Sequence, residues 1–307
     1  MKLVVFDVGG TAIKYSVMDE TLTGSREGSV PTPMESQAAF LAALKTIYDA
    51  IGAGTEGIAV SLPGMIDSDN GICHTGGSLS FNQGQPVARQ LSELCGCPVH
   101  IENDGKSAAI AEYTVGSLRG CQNAAVFLIG TGVGGGLILN GQLLRGKHFS
   151  AGEYSFLSRG LKDWGTLEGM VGYSDATTGF LDHLRTAKGL PVDAPLDGRQ
   201  AFAMIDGGDE TAQQVLKEFT YGIAHEIYNL QMLLDLEKIA IGGGISQQDR
   251  LIESIRESFT ELLENGYEGL HGLVSQTVEI VRCRFGNNAN QIGAYQSYCE
   301  WNERSRK

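Results

Sequence analysis

A buried strand that runs into a glycine bend and comes back out as a second strand occurs twice in this chain. The first copy is Leu3-Val4-Val5-Phe6-Asp7-Val8, then Gly9-Gly10-Thr11, then the apolar stretch 13–18. The second is Ala124–Ile129, then Gly130-Thr131-Gly132-Val133-Gly134, then Leu137-Ile138-Leu139. Runs of β-branched and aromatic residues read as buried strands. Glycine in the bend tolerates backbone angles and close approaches that a Cβ forbids. Such a bend points several N–H groups at one place, which suits an anion. Asp7 adds a carboxylate beside the first bend, where it can hold a magnesium ion through water. Either copy alone is also an ordinary hairpin. The repetition predicts two α/β domains, each contributing a phosphate-facing hairpin to a shared cleft.

A chain of 307 residues is long enough for about two domains. Its 42 glycines amount to about twice the usual share; they follow apolar runs and keep no G-X-Y period. A net charge of -13 argues against a nucleic-acid partner or an acidic membrane surface. It does not oppose a phosphate site, which local N–H groups build. No apolar run approaches the ~18 residues of a membrane span, and the first residues enter a strand at once, so no signal peptide is expected. Of the cysteines (Cys73, Cys95, Cys97, Cys121, Cys283, Cys299) only Cys95 and Cys97 are close, with no second pair at zinc spacing. The expected compartment is the reducing cytoplasm.

Apolar residues at helical spacing predict a helix over 35–51, and 57–62 reads as a strand stopped by Pro63-Gly64. A loop carrying Gly76-Gly77-Ser78 follows, then a short helix over 86–95 opened by proline. The strand 98–101 ends in three polar residues, Glu102-Asn103-Asp104, before a helix over 105–115. In the second half, 211–234 is the longest helix, and 238–241 is a strand that runs into Gly242-Gly243-Gly244. Helix 247–263, strand 278–281 and a closing helix over 290–301 complete the chain, while 191–208 reads as a flexible insertion.

Two strings mislead. Gly105-Lys106-Ser107 lies between a strand and a helix, but a P-loop also needs a glycine six residues before the lysine, where this chain has His100. Gly130-x-Gly132-x-x-Gly135 matches a dinucleotide fingerprint, yet the residues after it predict a strand, not the helix whose N-terminus would face pyrophosphate.

Three glycine loops, each at the end of a buried strand, suit a nucleotide: two grip phosphates and one leaves room for a flat adenosine. With the Asp7-Val8-Gly9-Gly10-Thr11 opening come Pro63-Gly64, Glu102-Asn103-Asp104, the run from Gly130 to Gly136, Ala151-Gly152-Glu153 and Ile241-Gly242-Gly243-Gly244. In that order, and over nearly the whole chain, this set resembles the ROK family of sugar kinases and repressors. The resemblance implies a two-domain α/β protein of the actin-like ATPase (ribonuclease H-like) fold with an interdomain cleft. Its domains are expected at 1–112, joined by the C-terminal helix 293–307, and at 113–292. It implies an ATP-dependent carbohydrate kinase acting at a sugar hydroxyl, the 6-hydroxyl by expectation, with Asp104 taking the proton. ATP is expected on Asp7, Gly9, Gly10, Thr11, Thr131, Gly132, Gly134, Gly242 and Gly243, and Mg2+ on Asp7 through water. The sugar is expected on Gly64, Gly77, Asn103, Asp104 and Glu153; Asn103 both donates and accepts, which suits a vicinal diol. A homodimer is implied as well. With a strand at the N-terminus, no DNA-binding module of the repressor branch is expected.

Plainer roles remain open: a helix N-cap for Asp104, a surface carboxylate for Glu153, a strand-to-helix turn for Gly242 to Gly244. The chain also departs from the family. Phe156 stands where a sugar-contacting histidine is common, and no cysteine occurs between Cys121 and Cys283, so no structural zinc is expected. Gly105-Lys106 replaces an Ala-Asn pair, and Lys106 reads as a solvated helix lysine. The zinc-less pattern, with Ala12 and Lys14 after Thr11, is similar to bacterial β-glucoside kinases and some N-acetylmannosamine kinases. A hexose, a hexosamine and a β-glucoside all remain candidates. The competing functions are a non-catalytic sugar and nucleotide sensor of the same fold, and an actin-type ATPase acting on proteins.

Overall fold

The computed structural model describes residues 1–265 and 278–306. Parts of two expected segments, 266–277 and Lys307, lie outside the described residues. The chain forms two compact units: Met1–Val115 with Leu143–Ala151 and Asn288–Lys307, and Gly116–Gln142 with Gly152–Asn287.

Unit 1 is built on β1 (Leu3–Val8), β2 (Ala12–Met18), β3 (Ser25–Pro31), α1 (Gln37–Ile51) and β4 (Gly57–Leu62). A small hairpin of β5 (Ile66–Asp67) and β6 (Ile72–Cys73) follows, then α2 (Val87–Cys95), β7 (Val99–Asn103) and α3 (Asp104–Thr114). The sheet order is β3-β2-β1-β4-β7. β1 pairs antiparallel with β2, and parallel pairing carries the sheet on through β4 to β7. Every residue of β1, β4 and β7 is buried; β1 and β4 accordingly read as largely apolar runs, while β7 buries His100, Glu102 and Asn103 as well. The amphipathic α1, capped by the Ser36 side chain on the Ala39 N–H, adds Phe40, Leu41, Leu44 and Ile47 to a core with Phe6, Ile13, Ile58 and Val60. The closing helix, Ala289–Ser305, lies against α3 so tightly that a Cβ on Gly293 would fall 1.7 Å from the Ser107 carbonyl oxygen.

Unit 2 repeats the arrangement. Its elements are β8 (Ala124–Ile129), β9 (Val133–Leu139), β10 (Gln142–Leu143), α4 (Val171–Ser174), α5 (Thr177–Ala187), α6 (Gly198–Asp206) and α7 (Glu210–Leu234). β11 (Lys238–Gly242), α8 (Asp249–Glu264) and β12 (Glu279–Arg282) complete it. The order β10-β9-β8-β11-β12 again sets an antiparallel hairpin on one side of a buried strand and parallel partners on the other. Helix α7 buries Val215, Phe219, Ile223, Ile227 and Leu230, the stripe its spacing predicts.

One expectation is corrected here. The stretch 191–208 is not a loose insertion: after Pro191 and Pro195, Asp197 opens α6 with a capping box to Gln200, and Phe202 packs on Phe180 with ring centroids 6.0 Å apart. The prolines suggested a loop, whereas the helix starts just beyond them.

Candidate active site

In unit 1 the first bend joins β1 to β2. Asp7, 7% exposed, is in register with Lys14 across the hairpin. Asn290 Nδ2 donates to Asp7 Oδ1 at 3.0 Å, and Lys14 Nζ lies 3.6 Å from Oδ2. Burial pushes the Asp7 carboxyl up from its ordinary range, against the opposing pull of Asn290 and Lys14. The Gly9 N–H donates to the Ala12 carbonyl at 3.0 Å, and Thr32 Oγ1 donates to the Gly9 carbonyl at 2.7 Å. Neither Gly9 nor Gly10 takes a positive φ. What Gly10 contributes is room, since a Cβ there would sit 3.1 Å from Ser78 Oγ.

That contact leads to the next part of the site, because Ser78 follows Gly77. Gly64 (φ 100°) and Gly77 (φ 54°) face each other so closely that a Cβ on either would meet the other's backbone N within 3 Å. No other residue type fits this crossing without moving the backbone. Asn103 Nδ2 donates to the Gly64 carbonyl at 2.9 Å and to Asp104 Oδ1 at 3.0 Å. The Gly105 N–H donates to the same Asp104 oxygen at 2.8 Å. Asn103 Oδ1 accepts from the Lys106 N–H at 2.9 Å, so Asn103 is the N-cap of α3 and Asp104 is its first residue. The bend, the Gly64–Gly77 crossing and the Asn103-Asp104 pair thus form one continuous set within unit 1.

Lys106 corrects a second expectation. It is not solvated but wholly buried, as is Glu112 on the same helix. Packing on the closing helix leaves α3 almost no exposed face: residues 105–112 are all buried.

In unit 2 the Gly130 N–H donates to the Gly132 carbonyl at 2.9 Å, closing the second bend. The run to Gly135 continues into β9, not into a helix. The Thr177 N–H donates to the Gly130 carbonyl and Thr178 Oγ1 to the Thr131 carbonyl, both at 2.9 Å. This fastens the start of α5 to the bend. A cavity of about 500 Å³ opens there, lined by Gly130, Thr131, Thr177, Thr178, Arg185 and Gly244, with Leu181 and Ile245 as apolar wall. Its size is that of a small-ligand site. Gly242 and Gly243 pack behind it: a Cβ on Gly243 (φ 94°) would lie 2.1 Å from the Ile129 carbonyl oxygen, and one on Gly242 would meet Leu128 and Cys283. Gly134 lies within β9, and Gly132 sits beside Ser155 and the Gly172 carbonyl. Glu153 is half-buried, next to Tyr154, whose ring stacks on Phe127 at 5.3 Å. Ser155 Oγ donates to the Val133 carbonyl at 2.5 Å, while Phe156 is 68% exposed. The segment beyond is held by Arg159, paired with the buried Asp175.

Thr177, Thr178, Leu181 and Arg185 are cavity residues that sequence reading misses. Their helix has no side-chain cap, since Ala176 precedes it, and Gly179 lies in its first turn. Only Phe180 and Leu184, at i and i+4, hint at it.

The ROK family profile matches residues 3–161 and 169–298. A beta-glucoside kinase of Klebsiella pneumoniae is 32% identical over 262 residues, covering 84% of this chain and 86% of its own length. A beta-glucoside kinase of Listeria monocytogenes is 32% identical over 268 residues, covering 84% of this chain and 89% of its own. The crystal structure of a ROK hexokinase from Thermus thermophilus superposes with a TM-score of 0.80 at 27% identity, over 99% of this chain and 100% of that one. The two repeated mixed sheets are the actin-like ATPase arrangement, and the chain belongs to the ROK family.

Proposed function

We propose that this chain transfers the γ-phosphoryl group of ATP to the 6-hydroxyl of a β-glucoside or simple hexose, with Asp104 as general base. It is an ATP-dependent carbohydrate kinase, in keeping with its family and its beta-glucoside kinase relatives. The observation that carries the finer reading is the set in unit 1 where one amide, Asn103 Nδ2, holds both the Gly64 carbonyl and the Asp104 carboxylate. Phosphoryl transfer is catalysed mainly by positioning and charge stabilisation. Asp104, with Oδ1 anchored by two N–H donors at the end of a buried strand, is held in a set direction for accepting a hydroxyl proton. Gly64 and Gly77 bring bare backbone to the acceptor, and Glu153 offers a carboxylate to its hydroxyls.

The residues fit a nucleotide. Gly10 and Thr11 in the first bend and Thr131 and Gly132 in the second present backbone N–H groups to phosphate oxygens, and the cavity beside Gly244 takes the nucleoside. Helix α5 starts on that cavity with no side-chain acceptor at its cap, so the first-turn N–H groups after Thr177, which bonds the Gly130 carbonyl, favour an anion. Asp7 is the carboxylate suited to Mg2+ through water; when bound, the ion neutralises phosphate charge.

The test is ADP release measured over a panel of hexoses, hexosamines and β-glucosides. Sugar-dependent turnover is expected, falling about 10²–10⁴-fold in Asp104→Asn with the sugar KM little changed. Undiminished turnover in that variant overturns the base assignment. ATP hydrolysis that no sugar stimulates overturns the acceptor reading.

A further inference from the structure

Glu102, the carboxylate just before Asn103, is wholly buried and takes no part in the chemistry above. Its Oε1 accepts from the Asn103 N–H at 3.0 Å. Its Oε2 accepts from Arg145 Nε at 3.0 Å and Nη2 at 2.7 Å, and from Ser297 Oγ at 3.3 Å. Ser297 Oγ also meets His100 Nε2 at 2.9 Å, and the His100 ring stacks on Trp301 with centroids 5.3 Å apart. Burial, with Arg145 and Arg304 nearby, pushes the imidazole down to about 3, so His100 enters this network neutral and Arg145 brings the positive charge.

Arg145 also stands at the base of a closed loop in the same unit. The Ala151 N–H donates to the Arg145 carbonyl at 3.3 Å, and the Phe149 N–H to the Gly146 carbonyl at 3.4 Å. Gly146 and Phe149 both take positive φ, 75° and 58°, so the loop follows a tight path between them. The chain leaves this loop at Ala151 and reaches Glu153 two residues later.

We propose that Arg145 is a positioning residue for the acceptor sugar, an inference that rests on the kinase reading above. Through Glu102 it sets the end of β7, and with it Asn103 and Asp104. One guanidinium therefore holds the carboxylate that receives the Asn103 N–H at the end of β7. Without it, Glu102 is a buried carboxylate missing its cation, a costly arrangement that the end of β7 shifts to relieve. Lysine is a partial substitute, because Arg145 brings two N–H groups of a rigid fork to one oxygen.

The test compares wild type, Arg145→Lys and Arg145→Ala by steady-state kinetics and by calorimetric titration with cellobiose, the β-glucoside of the panel. Arg145→Ala is expected to raise the sugar KM and Kd about ten-fold or more, while the ATP KM stays within about two-fold. Arg145→Lys falls between the two, and millimolar guanidinium recovers part of the loss in Arg145→Ala. Equal rises in both KM values overturn the proposal. So does a lowered melting temperature with both constants unchanged, or a loss that neither lysine nor guanidinium relieves. If wild type turns over no sugar of the panel, the kinase reading fails and the proposal with it.

Discussion

Gly243 takes a φ of 94°, and its missing Cβ is what lets the loop after β11 lie on the Ile129 carbonyl. Gly243→Ala combines a left-handed angle with a backbone clash, so a loss on the order of 2–3 kcal/mol is expected, read from urea unfolding, along with a raised ATP KM. Lys14 tests the first bend. Lys14→Met removes the charge that opposes the upward push of burial on Asp7. The Asp7 carboxyl then rises further, and the acid limb of the pH–rate profile moves to higher pH, while the ATP KM rises. At this scale the sequence is an uneven guide. Asp7, Thr131 and the Gly64–Gly77 pair are legible because β-branched runs and glycines mark strand ends wherever they occur. Lys106 is not, because its burial is decided by a helix that arrives nearly two hundred residues later. Arg145 escapes notice for the same reason: its partner Glu102 is 43 positions away.

Among elements, the long amphipathic helices and the apolar strands announce themselves by period, and α5 and α6 do not. Helix α6 is short and follows two prolines, yet its Asp197-x-x-Gln200 box was a readable start signal. Asp197→Ala removes the acceptor for the Gln200 N–H and is expected to cost about 0.5–2 kcal/mol, measured by thermal or urea unfolding. The loop fastened by Arg159 and Asp175 carries a pH signature. Burial raises the Asp175 carboxyl to about 6, with Glu226 adding to the rise and Arg159 and His225 opposing it. A raised folded-state value means stability that is fully present below the unfolded value of 3.8 and lost as pH climbs through about 6. Melting temperatures followed across that window should therefore fall with rising pH in wild type by more than in Asp175→Asn. Equal slopes in the two proteins would refute this.

For the whole molecule, the repeated sheet topology was foreshadowed by the repeated strand–bend–strand pattern, since both copies obey the same strand-forming chemistry. What no local pattern carries is that unit 1 draws on three separate stretches of chain. A protein ending at residue 287 lacks Asn290, Tyr295 and Ser297, which bond Asp7, the Met1 carbonyl and the His100–Glu102 pair. In that truncation, hydrogen exchange of the β1 and β4 amides is expected to lose its protection while β8 and β11 keep theirs, and turnover is abolished. The bond from Asn290 to Asp7 spans 283 positions, and this has a consequence for biosynthesis. A ribosome must add 283 residues after Asp7 before its amide partner exists, although domains commonly fold N-terminal first as they emerge. The nascent polypeptide therefore carries the Asp7 bend without its Asn290 bond until the first turn of the closing helix has emerged.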